Sequence, residues 1–237
     1  MDTLYIVIPA YNEEENIERV INDWYPIIEK YNGEGKSRLI IMNDGSKDKT
    51  FEIMEKLAID KPLFLPITKE NSGHGSTVLY GYNYAIKNKA DFVFQTDSDG
   101  QTLPDEFHDF WKKRNESDMV IGYRATREDG LSRVFVTKIL KLVIKICFHV
   151  NVTDANTPFR LMKRKSLEEN ITLIPKDFNL SNVLLSVIYE KKNMKVEYIP
   201  ITFRPRQGGV NSINLKKIFK IGLQAFKDFK EINTIIK

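Results

Sequence analysis

Phe92-Val93-Phe94-Gln95-Thr96-Asp97-Ser98-Asp99-Gly100-Gln101 is an apolar, strand-forming run that stops abruptly in an acidic turn. Runs of the same kind, rich in β-branched and aromatic residues, stand at 4–9, 38–42, 63–68 and 119–123, with this one at 91–96. Between them lie stretches of helical length at 13–31, 47–60, 75–87 and 104–115, where apolar residues recur among polar ones. Strands that alternate with helices predict βαβ units, hence an α/β fold with a mostly parallel sheet and helices on both faces.

Such a sheet binds ligands beyond the carboxyl ends of its strands, which places a site at the acidic turn. In extended backbone alternate residues face the same way, so Asp97, Asp99 and Gln101 converge. Two carboxylates and an amide oxygen are a hard-oxygen set that suits Mg²⁺ or Mn²⁺. A lone D-x-D can equally be an acidic turn that merely ends a strand, but its neighbours weigh against that. The run Leu4 to Asn12 ends in a polar turn followed by Glu13, and Ile41-Met42-Asn43-Asp44-Gly45-Ser46 repeats the arrangement. Three strands thus bring carboxylates to one edge. That much clustered charge is costly unless a cation or a set of donors meets it.

The chain of 237 residues is 42% hydrophobic and 29% charged, which suits a folded globular protein. Cys147 is its single cysteine, so an intramolecular disulfide and a cysteine zinc cluster are excluded, and a reducing compartment fits. A net charge of +4 is too mild to argue for nucleic acid. The N-terminus shows no basic region or cleavage site of a secretory signal. Its most apolar stretch, 134–150, is interrupted by Lys138, Lys141 and Lys145, so no membrane crossing is expected. Asn12 is the expected cap of the first helix, with Glu13, Glu14 and Glu15 at its positive end. Ile17, Val20, Ile21, Trp24 and Ile28 form its core stripe, and Pro26 predicts a kink or an early stop.

After residue 123 the rhythm changes. A polar stretch at 124–130 leads into a basic amphipathic helix at 131–150, a loop at 151–158 and a mixed segment. A last strand at 195–203 and a second basic amphipathic helix from Asn214 onward complete the chain. No linker separates the halves, so residues 1–125 and 126–237 read as two parts of one continuous domain, with a change of role near residue 125.

The order of these motifs resembles family 2 of the glycosyltransferases, in particular the branch of dolichyl-phosphate mannosyltransferase and the bacterial polyprenyl-phosphate sugar transferases. The matching stretches are Val7-Ile8-Pro9-Ala10-Tyr11-Asn12-Glu13, Asn43-Asp44-Gly45-Ser46, Asn71-Ser72-Gly73-His74-Gly75, Asp97-Ser98-Asp99-Gly100-Gln101 and Phe159-Arg160-Leu161. Phe203 and Arg206-Gln207-Gly208-Gly209 follow in the same order. The resemblance implies a Rossmann-like GT-A fold and an inverting transfer from a nucleoside diphosphate sugar, with residues 1–125 as the nucleotide-sugar-binding half and 126–237 as the acceptor-binding half. It assigns Pro9, Ala10, Tyr11, Glu13, Asp44 and Ser98 to the nucleotide-sugar pocket, and Asp97 to the ribose or the metal. Asp99, with Gln101, would hold Mg²⁺ or Mn²⁺ against the diphosphate. Gly73 and Gly75, which by themselves fit an ordinary loop-to-helix turn, become a wall for the sugar diphosphate at a helix start. His74 is at most a pocket residue.

On the acceptor side, Arg124 follows a strand and matches the family's arginine for an acceptor phosphate; Arg127 and Arg133 are further candidates. A phosphate monoester, with a second pKa near ~6, is largely ionised at neutral pH and attacks without a base. Relatives that use a hydroxyl carry an acidic pair where this chain has the single Asp154, which stays a candidate base. Thr157-Pro158 stands where the lipid-phosphate relatives have Ser-Gly or Gly-Ser, which leaves open what forms the cleft floor; Asn211-Ser212 stands where they have Ser-Lys, so Arg206 is expected to take over the pyrophosphate contact. The function implied is metal-dependent transfer of a sugar to a polyprenyl phosphate. Transfer to a hydroxyl of a surface glycan or glycolipid, and a non-catalytic nucleotide-sugar-binding subunit, are the alternatives. The two basic amphipathic helices suit peripheral contact with the inner face of the cell membrane, a solvated outer face over a core stripe, or a homodimer contact.

Overall fold

The computed structural model describes residues 2–124 and 131–205, with 224, 226, 228–230 and 232–234 beyond them; of 131–136 it gives the helix alone. Among these residues the strands are β1 (Leu4–Ala10), β2 (Arg38–Asn43), β3 (Phe64–Thr68), β4 (Phe92–Thr96), β5 (Met119–Arg124), β6 (Phe159–Lys163) and β7 (Val196–Ile201). They form one sheet in the order β3-β2-β1-β4-β6-β5-β7. β1 pairs in parallel with β2 and β4, β2 with β3, and β5 with β7. β6 runs antiparallel to both β4 and β5.

Period-two alternation decides what packs where. Leu4, Ile6 and Ile8 of β1, with Leu39 and Ile41 of β2, face a core shared with α1 (Ile17–Lys30), α2 (Thr50–Ala58) and α4 (Phe107–Lys113). Tyr5, Val7, Ile40 and Met42 point the other way, to α3 (His74–Lys87), α5 (Leu131–Phe148), α6 (Arg164–Ile171) and α7 (Ser181–Lys191). An aromatic knot fixes the middle of the sheet. Phe159, at the start of β6, packs on Phe94 at 4.7 Å and on Phe110 at 4.8 Å between ring centroids, with Trp24 5.3 Å from Phe94. Each such pair contributes about 0.5–1.5 kcal/mol beyond its buried area.

The alternating plan of the first half is as expected, with three local differences, and the second half adds another. Asn12 does not cap the first helix: its φ is +54°, its amide donates to Ser46 Oγ at 2.9 Å, and its side-chain oxygen accepts the Lys47 amide at 2.8 Å. Those bonds shape the turn after β1, and α1 begins only at Ile17. α1 also runs through Pro26 to Lys30 without stopping. The stretch 104–115 divides into a 3₁₀ turn, Pro104–Glu106, and the short α4. The mixed segment holds β6, whose buried Arg160 masks its strand character from a hydropathy reading. Most of the C-terminal tail lies outside the described residues. Its Phe229 is buried against Phe148 and Phe178, with centroids 5.2 and 5.9 Å away.

Candidate functional site

β1 and β2 end level, with Ala10 opposite Asn43, so the turns that follow them share one edge. Asp44 donates its amide to the Ala10 carbonyl at 2.9 Å and turns its carboxylate onto the loop after β3. Oδ1 accepts the Ser72 amide and Oδ2 the Gly73 amide, both at 2.9 Å, and Lys69 Nζ bonds to Oδ1 as well. Burial alone would push this carboxyl up. The Lys69 bond and the Ser72 amide outweigh it and hold Asp44 below the ordinary carboxylate range. The expected base contact at Asp44 thus falls on a side chain already engaged in shaping this loop.

The loop so held carries His74, the first residue of α3, to the end of β4, where His74 Nε2 lies 3.9 Å from Asp97 Oδ1. Asp97 Oδ1 also accepts a 3.0 Å hydrogen bond from Gln95 Nε2. Burial pushes the Asp97 carboxyl up to about 6; His74 opposes the rise, and Asp99 and Glu13 add to it. Glu13 follows β1, and Asp97 and Asp99 follow β4, so these carboxylates stand at the carboxyl ends of two neighbouring strands. Glu13 is buried; its Oε2 accepts Asn16 Nδ2 at 2.8 Å, and its amide donates to Thr50 Oγ1 at 2.8 Å. Asp99 Oδ1 accepts the Gln101 amide at 3.1 Å.

The remaining wall comes from the segment after β7. Gln101 donates its side-chain amide to the Arg204 carbonyl at 2.8 Å, and its own carbonyl accepts the Arg204 amide at 2.8 Å. Its Nε2 thus serves as a tether between the β4 turn and this segment, beside the metal-ligand role that the sequence suggests for its oxygen. Arg204 Nη2 returns a bond to the Gly100 carbonyl at 3.0 Å. Next to it, the Arg124 guanidinium lies over the Phe203 ring, 5.1 Å from its centroid. Arg124 binds Asp154 in a fork, Nε to Oδ2 and Nη2 to Oδ1, each at 2.9 Å. The sequence treats these two as separate candidates, a phosphate ligand and a base; the structure makes them partners.

Arg160 holds the loop that carries Asp154. Its guanidinium is fully buried and donates to the carbonyls of Ala155 at 3.1 Å, Thr157 at 2.8 Å and Asn182 at 2.9 Å. Sequence reasoning quotes Arg160 within a motif and gives it no role; a charged residue inside an apolar run is the signal that was available. Lys69, Gln95 and Asn182 are the other contributors it misses.

Of the remaining expected residues, Pro9, Ala10 and Ser98 are buried at the strand ends, and Tyr11 is exposed. Gly73 caps α3 at φ +89°, a conformation that favours glycine. Gly75 has a different reason for being glycine than close approach to a ligand. A Cβ there would lie 2.1 Å from the Phe178 carbonyl oxygen, so it is the chain's own backbone that demands the space. Arg127 and Arg206 lie outside the described residues, as does the Arg133 side chain.

Among the described residues no group of three or more His, Cys, Asp or Glu gathers into a metal-holding cluster. The donor set still fits a hard divalent ion that completes its shell with ligand oxygens. Asp97 and Asp99, two residues apart after β4, supply carboxylate oxygens, and the Gln101 side-chain oxygen adds a neutral one.

Comparison with known proteins identifies the family and the fold. Residues 5–171 match the profile described as glycosyl transferase family 2. A dolichyl-phosphate beta-glucosyltransferase of Trichomonas vaginalis is 26% identical over 224 residues, covering 89% of this chain and 68% of the relative. An undecaprenyl-phosphate 4-deoxy-4-formamido-L-arabinose transferase of Pectobacterium atrosepticum is 24% identical over 226 residues, 91% of this chain and 64% of its own. A dolichol-phosphate mannosyltransferase of Pyrococcus furiosus is 26% identical over 243 residues, 98% and 66%. The chain thus spans about two thirds of the length of these three relatives. Among solved structures, glucosyl-3-phosphoglycerate synthase from Mycobacterium tuberculosis, in complex with Mn²⁺ and uridine-diphosphate-glucose, superposes with a TM-score of 0.71 at 18% identity. That match covers 98% of this chain and 79% of the other and shows a shared GT-A fold.

Proposed function

The chain belongs to glycosyl transferase family 2, and from that premise we propose that it moves a sugar from a nucleoside diphosphate sugar to a polyprenyl phosphate, with Mg²⁺ or Mn²⁺ as cofactor. The observation that supports the donor half of this reading is the placement of Asp97 and Asp99 directly after β4, where His74 at the start of α3 lies 3.9 Å from Asp97. Asp97 and Asp99 would hold the ion. When bound, it offsets the negative charge that builds on the leaving diphosphate. Asp44 shapes the neighbouring wall: its bonds to the Ser72 and Gly73 amides present the α3 N-terminus, a natural seat for anions, beside Asp97.

For the acceptor, the Arg124–Asp154 pair is the guide. Both oxygens of Asp154 accept from the guanidinium, so this carboxylate is already occupied where a hydroxyl acceptor needs a base. An ionised phosphate needs none, and the cationic guanidinium held over Phe203 favours an anion. α5 supports a lipid acceptor. Ile139, Leu142 and Ile146 are exposed on one stripe, with exposed Lys138, Lys141 and Lys145 beside them, which suits a surface of anionic headgroups. No helix among the described residues is long and apolar enough to cross a membrane.

The test is product formation from a panel of radiolabelled nucleotide sugars with Mn²⁺, offered undecaprenyl phosphate or undecaprenol. Transfer to the phosphate alone is expected. Equal transfer to the alcohol would overturn the acceptor assignment, and no transfer with release of no nucleoside diphosphate would overturn the donor assignment too.

A further inference from the structure

Beneath the acidic edge runs a line of polar side chains inside the core. Gln95, next to the last residue of β4, and Tyr82, on α3, are 0% exposed, and Asn182, on α7, is 4% exposed. Tyr82 Oη donates to Asn182 Oδ1 at 3.2 Å, Asn182 Nδ2 donates to Gln95 Oε1 at 2.9 Å, and Gln95 Nε2 donates to Asp97 Oδ1 at 3.0 Å. Buried amides and hydroxyls persist only where their bonds are made, and here every link is made within the line.

The polarity of the line is set at one end. An ionised Asp97 can only accept, so Gln95 must show it the NH₂ group and turn its oxygen toward Asn182. Asn182 must then offer its own NH₂ to Gln95, and its oxygen is left for the tyrosine hydroxyl. One carboxylate thus fixes the orientation of two amides on two different elements, and they in turn fix the carboxylate. Asn182 has a second attachment: its main-chain carbonyl accepts from Arg160, the residue that holds the Ala155 and Thr157 carbonyls.

We infer that Gln95 and Asn182 are positioning residues that hold Asp97 in its ion-binding orientation, with Tyr82 fixing the far end of the line. The inference rests on the reading of Asp97 and Asp99 as metal-holding. Its reasoning is that of an outer shell: a carboxylate that must point at an ion is oriented by the donor behind it, and loss of such a donor typically weakens metal affinity about 10–100-fold. Asn182 also joins this donor-side orientation to the Arg160 clamp on the acceptor side, through one residue of α7.

The experiment is Mn²⁺ binding, read as loss of the free-ion electron paramagnetic resonance signal, with UDP, GDP, CDP and TDP added in turn. Gln95→Met and Asn182→Leu keep bulk and remove an amide. Each is expected to weaken Mn²⁺ binding about tenfold, and the double variant no further, because the two act as one unit. Tyr82→Phe, which leaves the amides in place and folds more readily, is expected to weaken it by a smaller factor. Tyr189→Phe is the control. It removes an equally buried hydroxyl from the same helix as Asn182, bonded to Ser166 at 3.0 Å and outside the line, and is expected to leave binding unchanged. Unchanged affinity in a folded Gln95→Met or Tyr82→Phe protein, or an equal loss in Tyr189→Phe, overturns the inference. If the unaltered chain binds no Mn²⁺ with any nucleotide, the metal reading itself fails and the inference falls with it.

Discussion

Arg124 and Asp154 lie 30 residues apart in sequence yet form a two-pronged ion pair, with both bonds at 2.9 Å and side chains 12% and 4% exposed. The pair bridges the end of β5 and the loop before β6. Removal of one partner from such a pair strands the other charge away from water. Asp154→Ala is therefore expected to cost about 3 kcal/mol of folding stability by urea unfolding. A loss below about 0.5 kcal/mol would mean that solvent absorbs the guanidinium, as at an ordinary surface pair, and that Asp154 is available for other work.

Asp99 is expected to matter for chemistry and not for folding. Its Oδ1 meets the Gln101 amide in a turn that other bonds also secure, among them those from Arg204 to Gln101 and Gly100. Asp99→Ala should abolish sugar transfer and Mn²⁺-dependent donor binding while the melting temperature stays within about 2 °C of the parent, as surface changes below 0.5 kcal/mol do. Retained turnover would remove Asp99 from the metal site.

Asp44 gives a pH signature. Its folded carboxyl lies below the ordinary value of 3.8, so the unfolded chain takes up the proton first as pH falls. The stabilisation from its bonds to Lys69, Ser72 and Gly73 is complete above that ordinary value. It drains away as acid titrates through the lower, folded one. Urea unfolding at pH 6 and pH 3 should show a smaller acid-induced loss for Asp44→Asn than for the parent. Identical losses would show that this carboxylate is not held as described.

The α5 stripe is testable without substrate. Lys138→Glu, Lys141→Glu and Lys145→Glu together should abolish co-sedimentation with phosphatidylglycerol vesicles and leave the melting temperature unchanged, because all three side chains are exposed. Sedimentation that persists, or that is equal on neutral phosphatidylcholine vesicles, would remove the electrostatic part of the proposed contact.

The sheet and its acidic edge were legible because hydropathy alternation and turn residues are local signals, and β1 to β5 carry them plainly. What escaped is what depends on partners distant in sequence. Arg160 reads as a break in an apolar run, yet its charge is met by carbonyls of Ala155, Thr157 and Asn182. Gln95 looks like an ordinary polar residue at a strand end, and only the fold shows Asn182 waiting 87 positions away. Asn12 has the right chemistry for a helix cap, but a positive φ commits it to the turn one step earlier. Gly75 suggests a ligand cradle by type, and its true neighbour is the Phe178 backbone.

The reversed direction of β6 has a lasting consequence. Because Phe159 pairs with Thr96, the connection that leads into β6 surfaces between the tips of β4 and β5, at the edge that carries Asp97 and Asp99. A parallel strand in that slot would have sent the same connection to the opposite rim. Residues added to that connection would extend over the carboxyl ends of β4 and β5 without disturbing a rung of the ladder beneath it, so its length can vary while the sheet stays as it is.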